Sequence, residues 1–319
     1  MVTTGFELTP VGPFSLAAST RFLEGFAPAA YEGDASHGDG SSELEMAFCV
    51  DGHWDTVAVR VEQEKVDGAV IGKIHSASKL GRAVRTAAVA QVERILSLDV
   101  DGAGFPAVGR RDPVVERLQT RYSGLRPVCF WSPYEAAAWA VIGQRIRIVP
   151  AAPIKARMAE QLGDPLQIGD RSLHAFPAPA TLSQLDSFEG LNDTKLDRLR
   201  GVATAALDGA LGAEHLRSLP RDEALDELQN IPGIGPFSAE LILLRGAGDP
   251  DHAPTAEPRL CHAIERAYDL DHSPTTAEVA EISDAWATYR TWVTVLLRNM
   301  LEDETGQIAG RGRQVSAGS

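Results

Sequence analysis

Between Leu228 and Gly246 the chain breaks off one helical pattern with a turn and at once resumes another. The segment reads Leu228-Gln-Asn-Ile-Pro-Gly-Ile-Gly-Pro-Phe-Ser-Ala-Glu-Leu-Ile-Leu-Leu-Arg-Gly246. It is a helix end, a tight hairpin at Ile231-Pro-Gly-Ile-Gly235, then a second apolar helix opening near Pro236. The two glycines permit backbone turns that a side chain would block. They also leave bare amide N–H groups at the head of the second helix. Unpaired donors and the helix dipole both favour an anion there, so a phosphate fits without any basic side chain.

The flanking chain sets the architecture. From Ser132 onward it reads as helices joined by short loops. Ser132-Pro133-Tyr134-Glu135 combines a serine cap, a proline at the first helical position and a glutamate three residues after the cap. A capping box is therefore expected to open a helix from Pro133 to about Ile148. Pro150 and Pro153 end that helix and open the next, to Leu162. Further helices are expected at 180–186, 193–209, 221–229, 236–246, 257–268, 276–286 and 288–302.

Before Ser132 the pattern differs. Phe6-Glu-Leu8, Leu44 to Val50 and Thr56 to Glu62 alternate as strands do, with Asp51-Gly52 as a turn between the last two. Ala83, Val84, Ala87, Ala88, Val92 and Ile95 fall at helical spacing. Residues 32–42 are too polar and glycine-rich to pack, and a mobile loop is expected there. The fold class is α+β. An N-terminal mixed α/β domain with an antiparallel sheet spans 1–120, a mostly helical core spans 121–305, and 306–319 form a flexible tail.

Composition excludes several classes. Apolar residues make up 44% and charged residues 23%, as in an ordinary soluble protein. No apolar run approaches the ~18–20 residues that cross a bilayer. The opening Met1-Val-Thr-Thr-Gly-Phe-Glu lacks the basic and apolar stretches of a secretory signal, so a cytoplasmic chain is expected. Cys49, Cys129 and Cys261 are too sparse for a disulfide framework, a zinc site or a four-cysteine cluster. The net charge of −14 argues against a broad basic surface, so any nucleic-acid contact must rest on a local site.

With Leu228 before the turn and Ser238-Ala239 after it, the hairpin resembles the helix-hairpin-helix of base-excision DNA glycosylases. Gly124-Leu-Arg-Pro, Ala140-Val-Ile-Gly-Gln144, Phe176-Pro-Ala-Pro-Ala-Thr-Leu and Trp286-x-x-Tyr289-Arg290 follow in order. Their spacings are similar to those of bacterial 3-methyladenine DNA glycosylase II. The N-terminal strands and helix also resemble that family's first domain, so the likeness spans nearly the whole chain.

The resemblance implies damaged double-stranded DNA as partner, a monomer, and no cofactor for the chemistry. It implies a backbone phosphate at Pro232, Gly233, Ile234, Gly235, Phe237 and Ser238. It also implies a Na+ or K+ held by the main-chain carbonyls of Gln229, Ile231 and Ile234. A side chain after the Gly-Gln segment fills the duplex where the flipped base was. Here Gln144 is followed by Arg145, which is either an unusual plug that stacks on bases or a surface arginine without a partner.

In the family an aspartate about twenty residues after the hairpin faces the sugar of the flipped nucleotide and stabilises its oxocarbenium-like charge. The matching position here is Glu257. Its carboxylate sits one methylene further out, roughly 1.5 Å, and misplacement of that size can cost on the order of a hundredfold in rate. Two readings stay open. Glu257 is a working carboxylate in a reshaped pocket, or a first-turn glutamate complementing the helix dipole with Thr255 as cap. Asp249 and Asp251 are weaker candidates.

The base pocket departs from the family as well. Phe237 keeps one aromatic ring, while Leu241, Pro258 and Arg298 stand at three other ring positions, and Trp292 is a further candidate. An Arg298 facing the pocket would repel a cationic base, so the family's substrate does not carry over directly. Bifunctional members cut the backbone through a Schiff base on a lysine beside the hairpin. Phe237 holds that position and no lysine follows Lys195, so base removal without lyase activity is expected.

Three functions compete on these grounds. The first is a monofunctional glycosylase that releases alkylated or otherwise damaged purines. The second is a catalytically weak or inactive DNA-binding, damage-sensing protein that keeps the hairpin. The third is an unrelated helical interaction protein whose Pro-Gly-Ile-Gly turn is only a loop. Fold likeness alone does not confer activity.

Overall fold

The structure, a computed structural model, describes residues 1–24, 42–146, 148–255 and 257–306. Strands β1 (Val2–Leu8), β2 (Ser42–Cys49), β3 (Thr56–Gln63) and β4 (Val70–Ser76) form an antiparallel sheet in the order β1-β4-β3-β2. Alternation sorts its two faces. Leu44, Met46 and Phe48 pair with Val61, Val59 and Val57. They bury one face against α1 (Leu16–Glu24) and α2 (Arg82–Ile95), through Leu16, Leu23, Ala88, Val92 and Ile95. Ala47 and Ala58 face the other way, onto Leu166 and Ile168 of a small hairpin, β5 (Pro165–Ile168) and β6 (Arg171–His174).

The sheet and its α2 follow the expected alternation and spacing, with two differences. Asp51-Gly52 lies in a longer loop, closed by the His53 and Trp54 amides on the Val50 carbonyl. Strand β4 and the β5–β6 pair are absent from the sequence reading: Gly72 and Lys73 interrupt the apolar positions of β4, and β5 and β6 have only 4 residues each. The expected loop at 32–42 lies outside the described residues except for Ser42, which opens β2, and the tail after 306 lies outside them too.

Helix α5 (Pro133–Ile142) runs through the centre of the helical half and is buried along nearly its whole length, with apolar residues on every side apart from Glu135. Ser132 caps it by accepting the Glu135 amide at 3.0 Å. The other half of the expected capping box is not made. The Glu135 carboxylate instead pairs with buried Lys155 at 3.0 Å, on α6 (Ile148–Leu162). Helix α5 also ends earlier than expected, at Ile142, and Arg145 adopts a left-handed φ of 57°.

Helices α7 (Pro179–Leu182), α8 (Asp193–Leu207), α9 (Ala213–Ser218), α10 (Arg221–Gln229) and α11 (Pro236–Leu241) close the core around α5. Helix α11 continues as a π-helical turn over Ile242–Ala247. Its terminal carbonyls are taken by neighbours rather than left bare. The Phe130 amide donates to the Arg245 carbonyl, and the Arg94 guanidinium to that of Gly246.

A third core joins α3 (Phe105–Arg111) and α4 (Pro113–Arg121) to α12 (Pro258–Ala267), α13 (Thr276–Asp284) and α14 (Arg290–Thr305). Residues 105–120, grouped with the N-terminal domain in the sequence reading, thus pack on the C-terminal helices. Val128 and Trp131 return to the sheet core. Fully buried Arg126 ties these parts together by donating to the carbonyls of Val11, Pro13, Ser97 and Val100.

Candidate functional site

The hairpin is held from beneath by Ile231 and Ile234, which are buried in the central core. The Ile234 amide donates to the Ile231 carbonyl at 3.0 Å, closing the turn. Gly233 needs its φ of 92°, a conformation that glycine adopts without strain. Gln144, from the turn after α5, reaches the Gly233 carbonyl. Pro236 opens α11, and the Phe237 ring beside it is 60% exposed.

Next to the hairpin lies a cleft of about 830 Å³. The hairpin's second helix contributes Phe237, Ser238, Leu241 and Arg245. Trp139, Gln144 and Ile146 line it from α5 and the following turn, Glu257 and Pro258 from the head of α12, and Val295 and Arg298 from α14. Helix α12 packs along α14, and this brings a helix start and a helix side into one wall.

Glu257 is only 5% exposed, and its Oε1 lies 2.9 Å from Arg298 Nη1. Arg245 lines the same cleft, donates to the Val128 carbonyl at 2.6 Å and stacks over the Phe22 ring. Burial pushes Arg245 down to about 10, which leaves it cationic at neutral pH. Arg21, Arg121 and Arg259 also line the cleft, so five arginines there face three carboxylates, Glu257, Glu302 and Asp303. A chain of net charge −14 thus presents locally positive walls.

No family model matches the chain. It is 27% identical to the DNA-3-methyladenine glycosylase of Bacillus subtilis over 218 residues, 67% of this chain and 72% of that protein. It is 32% identical to DNA-3-methyladenine glycosylase 2 of Escherichia coli over 137 residues, 41% of this chain and 46% of the relative. Its fold matches the 3-methyladenine DNA-glycosylase from Archaeoglobus fulgidus with a TM-score of 0.73 at 20% identity, over 95% of this chain and 99% of that one. In sequence the chain is thus similar to DNA-3-methyladenine glycosylases, and its fold is that of the helix-hairpin-helix DNA glycosylases.

Against the superfamily pattern, the structure brings Phe237, Ser238, Leu241, Arg298, Gln144 and Glu257 into one cleft. Pro232, Gly233, Ile234 and Gly235 form the adjoining turn, with Gln229 at the end of α10. Trp292 does not join them. It is 2% exposed and packs its ring on Phe105 and Tyr289 beneath the Arg126 guanidinium, so it is core rather than base pocket.

Arg145 is exposed and does not line the cleft, whereas its neighbour Ile146 does. Thr255 is not the cap of α12: Glu257 itself occupies the capping position, makes no capping bond and turns its side chain to Arg298. Asp249 and Asp251 are engaged by Arg221 and Arg290 and shape the loop leading to Glu257.

Sequence reasoning missed other glycosylase cleft residues. Trp139 carries helical spacing that reads as core. Arg245 and the rim residues Arg121, Glu302 and Asp303 carry no local signal, since only the docking of α4 and α14 places the rim.

Proposed function

We propose that this chain is a monofunctional DNA N-glycosylase of base-excision repair, which flips a damaged purine out of duplex DNA and hydrolyses its glycosidic bond. The observation that carries this reading is that Glu257 and Phe237 share one cleft beside the hairpin. A phosphate held at the amides of Gly235, Phe237 and Ser238 fixes the strand, and the neighbouring nucleotide swings into the cleft. The largely buried Glu257 carboxylate then opposes the positive charge that grows on the sugar, in surroundings where such a charge acts strongly. The local arginines draw the duplex in despite the acidic net charge.

Three finer points belong to the same proposal. No lysine is among the residues lining the cleft, which supports base removal without strand cutting. The protein acts as a monomer. A Na+ or K+ suits the hairpin: the Ile231 carbonyl, already bonded by the Ile234 amide, keeps a second lone pair, and the carbonyls of Gln229 and Ile234 lie on the same turn. Bound there, the ion would supply positive charge at the phosphate site.

The damage-sensing alternative draws support from one observation, that Arg298 already neutralises Glu257. An assay separates the two. Duplex carrying damaged purines is incubated with protein, then heated in alkali to cleave abasic sites. Wild type is expected to release base and Glu257→Gln to lose release by about a hundredfold. Equal release by both removes Glu257 from the mechanism, and no release by either favours the sensor.

A further inference from the structure

We propose that Arg298 makes the cleft selective for neutral damaged purines, which carry carbonyl or ring-nitrogen acceptors, over cationic N-methylated purines. This inference rests on the glycosylase reading above. The Arg298 side chain is 31% exposed and lines the cleft, with Nη1 on Glu257. Glu257 thus engages one corner of a guanidinium that carries five donors in a rigid fork. Buried Arg245 puts a second cation in the same wall, and Leu241, Pro258 and Val295 around them are apolar. Charge acts strongly in such a setting.

The leaving group decides which substrate this wall suits. When the C1′–N9 bond of a cationic methylpurine breaks, the bond's electron pair neutralises the ring, and no help from the protein is needed. Before that, its positive charge is repelled by Arg298 and Arg245. A neutral purine departs with the same electron pair as an anion and needs a cation or donor beside it. The sugar meanwhile becomes positive. A carboxylate paired with a guanidinium matches that separation of charge, with Glu257 facing the sugar and Arg298 facing the departing base. The oxygen of a water then bonds to C1′, one of its protons passes by way of Glu257 to solvent, and the purine anion takes a proton from solvent. The sum is one water added across the glycosidic bond.

The test compares two duplexes, one with a single hypoxanthine and one with a single 7-methylguanine, each corrected for spontaneous loss. Wild type is expected to release hypoxanthine at least about tenfold faster. Arg298→Leu should lose hypoxanthine release by about a hundredfold and lose at least about tenfold less of its 7-methylguanine release, so that the preference between the two shifts toward the cationic base. Arg298→Lys, which keeps the charge, should retain most hypoxanthine release. Binding to an abasic-site duplex checks that each variant is folded. Faster release of 7-methylguanine by wild type overturns the inference and leaves the glycosylase reading standing. Equal loss of both substrates in Arg298→Leu and Arg298→Lys with binding intact also overturns it. No release from either duplex by wild type removes the glycosylase reading together with the inference.

Discussion

The side-chain amide of Gln144 donates to the main-chain carbonyl of Gly233 at 2.6 Å and so ties the turn after α5 to the hairpin. Arg198 donates to the other end of the same amide, at Oε1. Glutamate at 144 would keep the arginine but could not donate to the hairpin. Gln144→Glu is therefore expected to fold normally and to bind an abasic-site duplex about tenfold more weakly, the value of one lost hydrogen bond. Unchanged affinity in a titration would show that the two turns are positioned independently.

The two hairpin glycines should fail in different ways. A Cβ on Gly233 would lie 2.5 Å from Arg198 Cδ, at a backbone φ of 92°. Gly233→Ala is expected to lower stability by about 1–2 kcal/mol. Gly235 has an ordinary φ of −98° and nothing within 4 Å of an added Cβ. Gly235→Ala should leave the melting temperature unchanged and weaken DNA binding, because only an approaching phosphate backbone needs that space. Thermal melts of both variants, read beside duplex titrations, separate the two causes.

Phe237 and Trp292 make a second contrasting pair. Removal of the buried Trp292 ring is expected to cost roughly 3–5 kcal/mol. Phe237→Ala removes an exposed ring, so chemical denaturation should hardly change while base release falls by about tenfold, as expected for a lost stacking partner. If Phe237→Ala unfolds as easily as Trp292→Ala, the ring is part of the scaffold.

Asp51 in the β2–β3 loop has a buried Oδ1 without a hydrogen-bond partner and lies 3.8 Å from Arg94. Burial pushes its carboxyl up to about 7, with Glu135 adding to the rise and Arg94 opposing it. The folded protein therefore holds a proton there that the unfolded chain gives up between about pH 4 and pH 7. Stability falls as pH rises through that window, by roughly 2–4 kcal/mol once Asp51 is charged. Asp51→Asn should raise the melting temperature by several degrees near pH 8 and change it little near pH 4. A gain of the same size at both pH values would place the ionisation elsewhere.

Much of the architecture was legible because its causes are local. Helix α10 is found at the expected residues, and the hairpin follows directly from Pro232, Gly233 and Gly235. Helix α5 was harder. Ile142 and Ile146 keep helical spacing past its end, and the end at Ile142 reflects a left-handed Arg145 and the Gln144 tie to the hairpin, neither of which propensity encodes. The capping box at Ser132 was half right for a similar reason, since Lys155 on another helix takes the Glu135 side chain.

The sequence by itself determined that a glycine hairpin opening a helix is followed by a carboxylate at the next helix start, because turn chemistry and helix caps act over a few neighbouring residues. Only the tertiary structure decided which side chains meet in the cleft. The rotation of α14 about its axis, set by packing on α12 and α4, turns Arg298 toward Glu257 and buries Trp292 with Phe105. Both residues are polar-tipped or aromatic members of the same helix, and no local pattern tells which will face substrate. That choice belongs to contacts between segments far apart in the chain.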